Sequence, residues 1–239
     1  MSPAVHRSIA LIAFALTLAA LRPANAEQTP QVLASDSTDH LRPVNVAAEV
    51  GEFDGSKAIK LQIAPGVTPS SQKIDAATLA LIEGTEDFAN GSIEATLESD
   101  LSPNALPAAR GFVGLAFRIA PDMRHFEAIY LRPFNGRADD QVRRNHTIQY
   151  MSFPDYDFAP LRASDPGKYE SYVDIGPREW IKVRIDVEGA QARLFVNGAR
   201  QPALIVNDLK MGGNATGAVG LWIYSGTVAH FRDVKIVRR

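Results

Sequence analysis

The stretch from Tyr130 to Tyr172 is the part of the chain richest in side chains that could recognise a ligand. Its arginines are Arg132, Arg137, Arg143, Arg144 and Arg162. Its neutral polar groups are Asn135, Asn145, His146 and Gln149, and its rings are Tyr130, Tyr150, Phe153, Tyr156, Phe158, Tyr169 and Tyr172. Arginine and aromatic residues anchor recognition sites because each combines a large contact area with directional bonding.

Saccharides match this combination of rings and hydrogen-bonding groups. The apolar C–H face of a sugar packs on an aromatic ring, and its hydroxyl edge bonds to arginine, asparagine or glutamine. If the sugar carries a carboxylate or a sulfate, the arginine fork is its natural partner. The alternative is a structural loop that is held by ion pairs of Arg143 or Arg144 with Asp139 or Asp140.

Three residues of this stretch are candidates for a catalytic acid or base. His146 stands beside Asn145 at the predicted start of a strand, where it could also be a hydrogen-bonded scaffold residue. Asp155 and Asp157 are two residues apart, which on a strand places them roughly 7 Å apart on one face. Glycosidases use carboxylate pairs at about 5–9 Å. Two further pairs have this spacing and are expected to be solvated, Glu98 with Asp100 and Asp186 with Glu188.

The elements that must position these groups are β-strands. The segment WIKVRIDV (180–187) alternates apolar and polar residues, as a half-buried strand does. Asn197-Gly198 predicts a tight hairpin turn, because a type I′ turn needs positive φ at both central residues. Other predicted strands are 45–52, 57–64, 77–83, 88–98, 111–119, 124–132, 146–152, 192–196, 217–224 and 228–237. This pattern predicts one all-β domain, an antiparallel two-sheet sandwich.

Alternation along two of these strands assigns side chains to faces. The apolar residues are expected in the core, which leaves Arg118, Tyr130 and Arg132 on the open face. Glu127 falls on the apolar side. It is either paired at the edge of the core, or the register is shifted by one residue.

Several segments between residues 85 and 238 resemble the concanavalin A-like lectin/glucanase superfamily. They read FANGSIEATL, GFVGLAFRI, FEAIYLRPFNGR, WIKVRIDVEGAQARLFVNG and GAVGLWIYSGTVAHFRDVKI. Within the superfamily they are most similar to laminin-G-like domains and to the bacterial 3-keto-disaccharide hydrolase-like family. The resemblance implies a jelly-roll sandwich with a ligand groove on its concave sheet, and it allows bound calcium. The glutamate-x-aspartate-x-glutamate signature of the superfamily's β-glucanases is absent, so no catalytic residue is carried over.

The amino end predicts export. Residues 1–26 combine a basic start, an uncharged run (IALIAFALTLAAL) and Ala24-Asn25-Ala26, which is typical of a secretory signal peptide cleaved before Glu27. The run is too short for a membrane anchor, because it spans about 20 Å of a ~30 Å hydrocarbon core. We expect residues 27–43 to be a flexible lead-in, residues 44–239 to form the domain, and the protein to be periplasmic or extracellular.

Composition narrows the function classes. The chain has no cysteine, which excludes disulfides and thiol chemistry, and its net charge of -2 gives no basic field for nucleic acid. No metal-ligand spacing such as H-E-x-x-H is found, so we expect no metal-based cofactor beyond the calcium that the resemblance allows. No further segment is apolar enough to span a membrane.

Three functions remain open. The first is a carbohydrate-binding domain, for which the predicted contact residues are Arg118, Tyr130, Arg132, Asn135, Arg137, Arg144, Asn145, His146, Gln149, Tyr150 and Tyr156. The second is a glycoside hydrolase or lyase in which His146, Asp155 or Asp157 is the acid or base. The third is a structural or adhesive domain of the laminin-G kind. An enzyme should place His146 or a carboxylate in a pocket beside a second titrating group.

Overall fold

The computed structural model describes residues 29–70 and 73–239, and the predicted signal peptide lies outside them. The strands of this part are β1 (Gln31–Leu33), β2 (Leu41–Val44), β3 (Val46–Phe53), β4 (Ser56–Ile63), β5 (Leu79–Ile82), β6 (Gly91–Leu101), β7 (Val113–Ile119), β8 (Phe126–Leu131), β9 (Ile148–Phe153), β10 (Glu170–Ser171), β11 (Ile181–Glu188), β12 (Gln191–Val196), β13 (Leu204–Val206), β14 (Ala218–Ile223) and β15 (Thr227–Arg238). Its helices are α1 (Pro133–Gly136), α2 (Gln141–Asn145) and α3 (Phe158–Ser164).

Two antiparallel sheets pack face to face. Sheet A has the order β13-β12-β11-β6-β15-β4-β3, with β1 beside β15, and sheet B has the order β10-β9-β8-β7-β14-β5-β2. The apolar residues that alternate along the strands meet between the sheets and form the main core. The predicted all-β sandwich is therefore confirmed.

β11 shows how sequence pattern becomes structure in this fold. Ile181, Val183 and Ile185 are buried between the sheets, whereas Lys182 and Arg184 are exposed on the outer face of sheet A. Buried and exposed side chains alternate because successive Cβ atoms of a strand point to opposite faces. The period-two pattern thus fixes which face of this strand carries charge.

The predicted lead-in of residues 27–43 contains two strands, so the expectation of a flexible segment is wrong there. β1 pairs with the last part of β15, and β2 pairs with β5. Leu33 and Leu41 are buried in the main core. Their burial holds the segment against the sandwich, which its polar composition did not indicate.

A second apolar cluster covers the outer face of sheet B. The ring of Tyr130 lies 4.8 Å from that of Trp222, and Trp222 stacks on Tyr224 at 5.8 Å. The chain around Asp75 crosses this face, and the Tyr224 hydroxyl donates to its carboxylate at 2.7 Å. Aromatic rings and this crossing segment therefore fill much of the face that was expected to be open at Tyr130.

The three helices lie in the predicted recognition stretch. Asp140 begins α2, where its carboxylate accepts a hydrogen bond from the Arg143 backbone N–H at 3.0 Å. Asp157 caps α3 in the same way through Ala159 N–H at 2.9 Å. None of the helices in the described ranges is both long and apolar enough to cross a bilayer.

Candidate functional site: a cleft at the edge of sheet B

A cleft of about 430 Å³ lies where β10 forms the edge of sheet B. It is lined by Asn145, His146, Arg162, Pro166, Gly167, Glu170, Ser171 and Tyr172. Its size falls within the range of small-molecule sites, about 300–1,000 Å³. Three elements build it: the end of α2, the carboxyl-terminal part of α3, and β10.

A histidine and a carboxylate meet in this cleft. His146 Nδ1 lies 2.6 Å from Glu170 Oε2, although the carboxylate is not in line with the ring N–H. Arg162 holds the same carboxylate with two nitrogens, Nε at 3.1 Å from Oε1 and Nη2 at 2.7 Å from Oε2. The Glu170 side chain is only 6% exposed, so a fixed ion pair sets its position.

The electrostatics of this pair keep the carboxylate charged and favour a neutral imidazole. Burial raises the pKa of Glu170, but the hydrogen bond and charge of Arg162 and the charge of His146 outweigh burial and lower it. Burial lowers the pKa of His146, an effect that Glu170 opposes and Arg162 reinforces. Because the charged Glu170 carboxylate lies 2.6 Å from Nδ1, it favours the neutral tautomer that has its proton on Nδ1 and its lone pair on Nε2.

The backbone of His146 is held as tightly as its ring. Its carbonyl oxygen accepts hydrogen bonds from Arg132 Nη1 at 2.8 Å and from Asn135 Nδ2 at 3.3 Å. The Arg132 guanidinium lies 5.0 Å from the centre of the Tyr130 ring and 5.5 Å from that of Phe158. Arg132 and Asn135 therefore support His146 from behind, and neither lines the cleft.

Three arginines behind the lining of the cleft have no ion pair among residues 29–70 and 73–239, namely Arg132, Arg143 and Arg144. Arg143 donates to neutral oxygens, Asn135 Oδ1 at 3.4 Å and Phe134 O at 3.1 Å. The ion pairs with Asp139 or Asp140 that a purely structural loop would use are not formed. The charge of these guanidinium groups is left without a carboxylate partner in this part of the chain.

Tyr172 forms one wall of the cleft, and Arg144 lies behind it. Arg144 Nη2 donates to the Tyr172 hydroxyl at 2.8 Å, and the guanidinium carbon lies 5.0 Å from the centre of the tyrosine ring. Arg144 Nε is buried and has no partner in the described part of the chain. Tyr172 is 39% exposed and lines the cleft.

Arg118 does not lie on an open face, and that expectation is wrong. It has a positive φ of 53°, beside a shift of register between β7 and β14. This turn of the backbone buries the side chain completely. Its guanidinium donates to the carbonyls of Ala89, Gly189 and Gly212.

Glu127 is the partner of Arg118, and its environment is the one for which the sequence left two alternatives open. Its Oε2 lies 3.4 Å from Arg118 Nη1, and its Oε1 accepts from the Tyr150 hydroxyl at 2.6 Å and from Met211 N–H at 3.2 Å. Burial raises the pKa of Glu127, which these contacts oppose. Glu127 is therefore paired at the edge of the core, and the strand register is as predicted.

Several other predicted contact residues lie away from the cleft. Tyr130, Gln149 and Tyr150 are almost completely buried, so a ligand cannot reach them in this conformation. Arg137 is neutralised by Asp174 at 2.8 Å and by Glu179 at 2.5 Å. Tyr156 is exposed, but it does not line the cleft.

The two candidate aspartates do not form a catalytic pair. Asp155 is exposed and lies outside the cleft. Asp157 caps α3 and also accepts from Ile74 N–H at 3.2 Å, so both of its oxygens are used in holding the fold. Of the predicted site residues, the structure brings Arg144, Asn145 and His146 together, with Arg144 behind Tyr172.

Sequence reasoning missed the partner of His146. Glu170 is 24 residues further along the chain, in a strand of only two residues that pairs with β9. A two-residue edge strand leaves too little alternation to recognise. The nearest signal was the alternation of Tyr169, which points into the core, with Glu170, which faces the cleft.

A larger cleft of about 1110 Å³ lies on the other side of α3. Its histidine–carboxylate pair, His125 with Asp122 at 2.7 Å, has both side chains about half exposed. The Arg124 backbone N–H donates to Asp122 Oδ1 at 2.8 Å, but no arginine or lysine side chain of the described residues pairs with Asp122 as Arg162 pairs with Glu170. The smaller cleft is therefore the better organised of the two. Within the described ranges, no three His, Asp or Glu side chains converge as a metal site would require.

The fold places the chain among known structures. No protein-family model and no curated protein matches the sequence. A carbohydrate-binding module, CBM66 from Bacillus subtilis, superposes with a TM-score of 0.52 at 13% identity, over 82% of this chain and 95% of the module. A galectin-like protein of unknown function from Bacillus subtilis also gives 0.52, at 14% identity over 88% and 98% of the two chains.

A candidate glycosyl hydrolase from Parabacteroides distasonis gives the same TM-score of 0.52 at 11% identity, over 88% of this chain and 99% of that one. At these identities the likeness concerns the fold. The chain therefore has a concanavalin A-like jelly-roll fold, the fold that the resemblance in its sequence implies. This fold carries binding modules and enzymes alike, so the site must decide between them.

Proposed function

We propose that the chain is a secreted carbohydrate-binding domain whose ligand is an anionic saccharide, held in the cleft at His146, Arg162 and Tyr172. The observation that carries the proposal is the charge imbalance around this cleft. Behind its lining, Arg132 donates to the His146 carbonyl, Arg144 donates to the Tyr172 hydroxyl and Arg143 donates to Asn135, and none of these three arginines has an ion-pair partner in the described part of the chain. Within the lining, Glu170 is the carboxylate that pairs with Arg162. A partly desolvated excess of guanidinium groups favours a ligand that brings its own negative charge.

The remaining lining groups suit the rest of a sugar. Tyr172 offers a ring for the C–H face, while Asn145 and Ser171 offer hydrogen bonds to hydroxyl groups. The volume suits one or two sugar residues. Export through the predicted signal peptide of residues 1–26 would bring the domain to extracellular or periplasmic polysaccharides.

The test is calorimetric titration of the purified chain with oligosaccharides of equal length that are uronate-containing, sulfated or neutral. We expect the chain to bind one of the anionic series, with an affinity that falls as the salt concentration rises. Neutral sugars should bind at least tenfold more weakly, a difference of about 1.4 kcal/mol in binding free energy. Arg144→Met should lower the affinity at least tenfold. The matched control is Arg137→Met, because Arg137 is already neutralised by Asp174 and Glu179. Equal binding of neutral and anionic sugars, or an equal effect of the two variants, would contradict the proposal.

A second candidate function, catalysis on the bound saccharide, is favoured by one observation. His146 lies in a pocket in contact with a second titrating group, Glu170. A carbohydrate-binding domain needs no such pair. The laminin-G-like adhesion function has less support, because the large apolar side chains that are exposed, such as Val32, Val142 and Ile205, lie on separate elements.

A further inference from the structure

We infer that the cleft is catalytic and cleaves a 4-linked uronate by β-elimination, with His146 as the base that removes the C5 proton. The inference rests on the proposed function, since it requires that an anionic saccharide binds in this cleft. It adds a reaction and assigns a role to each ionisable group that lines the cleft.

The number of carboxylates in the cleft argues against hydrolysis by an acid–base pair. Glu170 is the only carboxylate among the described residues that line it. Two nitrogens of Arg162 hold Glu170, and its pKa is lowered, although burial alone would raise it. Glycoside hydrolysis usually needs two carboxylates on opposite sides of the scissile bond, one of them protonated. A chemistry that uses one base and cationic groups fits the cleft better.

His146 has the arrangement of a general base. Glu170 faces its Nδ1, which leaves Nε2 as the unprotonated nitrogen, and Nε2 makes no hydrogen bond to any residue in the described ranges. Arg132 and Asn135 fix its carbonyl. An imidazole that is held through both its ring and its backbone is a preorganised group, and preorganisation is what general-base catalysis requires. We therefore regard Arg132, Asn135 and Glu170 as positioning residues.

Arg162 is placed to make the C5 proton acidic. Its Nε and Nη2 bind Glu170, while its Nη1 makes no hydrogen bond within residues 29–70 and 73–239. A uronate carboxylate that lies against Nη1 would have its charge partly neutralised. Electron density from the C5 carbanion can then spread into the carboxyl group, which lowers the cost of removing the proton.

Tyr172 is the acid in the step. The C5–H electron pair forms the C4=C5 double bond, the proton passes to His146 Nε2, and the C4–O4 bond breaks. The departing O4 takes the proton of the Tyr172 hydroxyl. Arg144 donates to that hydroxyl oxygen at 2.8 Å, so it stabilises the phenolate that is formed. Solvent then returns the proton from His146 to Tyr172, and no other reactant is consumed.

The experiment follows ultraviolet absorption of the unsaturated uronate, with oligogalacturonate, oligoguluronate, oligomannuronate and oligoglucuronate as substrates. We expect the purified chain to generate the absorbing product from a uronate that it binds. His146→Gln should lower the rate at least about 100-fold, a larger factor than its effect on affinity, because glutamine keeps a polar group in the cleft. The matched control is His125→Gln, since His125 makes a similar aspartate pair outside the cleft, and its rate should equal that of the unchanged chain.

A second readout separates chemistry from folding. In heavy water, the unchanged chain should exchange deuterium into C5 of bound uronate, and Tyr172→Phe should retain this exchange while it loses product formation. Binding of a uronate without product or C5 exchange would overturn the inference and leave the proposed function intact. Absence of binding to every anionic saccharide would overturn both.

Discussion

Two buried arginines show how differently this molecule uses the same side chain. Arg118 is completely buried, donates to three carbonyl oxygens and lies 3.4 Å from the carboxylate of Glu127. Arg132 is 4% exposed and lies among aromatic rings, and no carboxylate of the described residues pairs with it. The alternation of the strands alone predicts the same role for both residues, on one open face.

The difference separates a region whose charges are neutralised within the chain from the region of the proposed site. Around Arg118 the charge is neutralised and the nearby carbonyls are satisfied within the chain, which is the pattern of a structural group. Around Arg132 the charge supports His146 at the wall of a cleft and is left uncompensated, which is the pattern of a preorganised site. Burial alone does not distinguish the two arginines, but the presence of a neutralising partner does.

The largest expected effect is on stability and concerns Arg118. Arg118→Met leaves Glu127 buried without its cation and three carbonyls without a donor. We expect the free energy of unfolding to fall by on the order of 3–5 kcal/mol. Chemical denaturation measures this free energy. A decrease of less than about 1 kcal/mol would show that Arg118 is not the structural group described above.

Arg132→Met sharpens the comparison, because it should act on the site more than on the fold. The His146 carbonyl loses its 2.8 Å donor, and no carboxylate is stranded by the change. We expect saccharide affinity to fall at least tenfold, while stability falls by about 1.5–3 kcal/mol, the range for a hydrogen bond to a charged group. A stability loss that equals that of Arg118→Met, with unchanged affinity, would erase the distinction between the two arginines.

How far the sequence predicts these two regions depends on how local the signals are. The alternation of Ile181, Val183 and Ile185 is local, so β11 and its faces follow from it directly. The left-handed conformation of Arg118 is not encoded by a glycine or an asparagine, so the reversal of its side chain was invisible.

The site itself depends on residues that come together only in the fold. Trp222 of β14 fills the space over Tyr130, so small side chains on neighbouring strands did not mean an open groove. His146 could be named as a candidate from its neighbours, but its partner Glu170 is remote in sequence. Contacts between residues that are far apart in sequence distinguish a cleft from a solvated loop, and a local sequence pattern does not predict such contacts.

A smaller effect is expected at a third charged group, which resembles Arg118 in being neutralised. Burial raises the pKa of Asp208, but hydrogen bonds from Tyr169, Lys168 and Lys210 outweigh it and lower the pKa to about 2. The folded state therefore gains stability from the charged form, which is fully present above an unfolded pKa of about 3.9 and is lost as the pH falls towards 2.

Asp208→Asn should consequently destabilise the protein by about 0.5–1 kcal/mol at pH 7, a figure reduced for solvent screening because the side chain is 41% exposed. The difference from the unchanged chain should shrink between about pH 4 and pH 2 and should not affect saccharide binding. Denaturant titrations at several pH values measure it. A difference that is independent of pH would contradict the assigned pKa.

The most direct test of the account is the location of the saccharide on the protein. Backbone NMR signals of the isotopically labelled chain are followed during titration with the anionic oligosaccharide that calorimetry selects. We predict that the largest shifts fall on Asn145, His146, Ser171 and Tyr172. Shifts centred on the outer face of sheet A, where the Phe53 ring packs against Trp180 and His230, with the cleft signals unmoved, would contradict it.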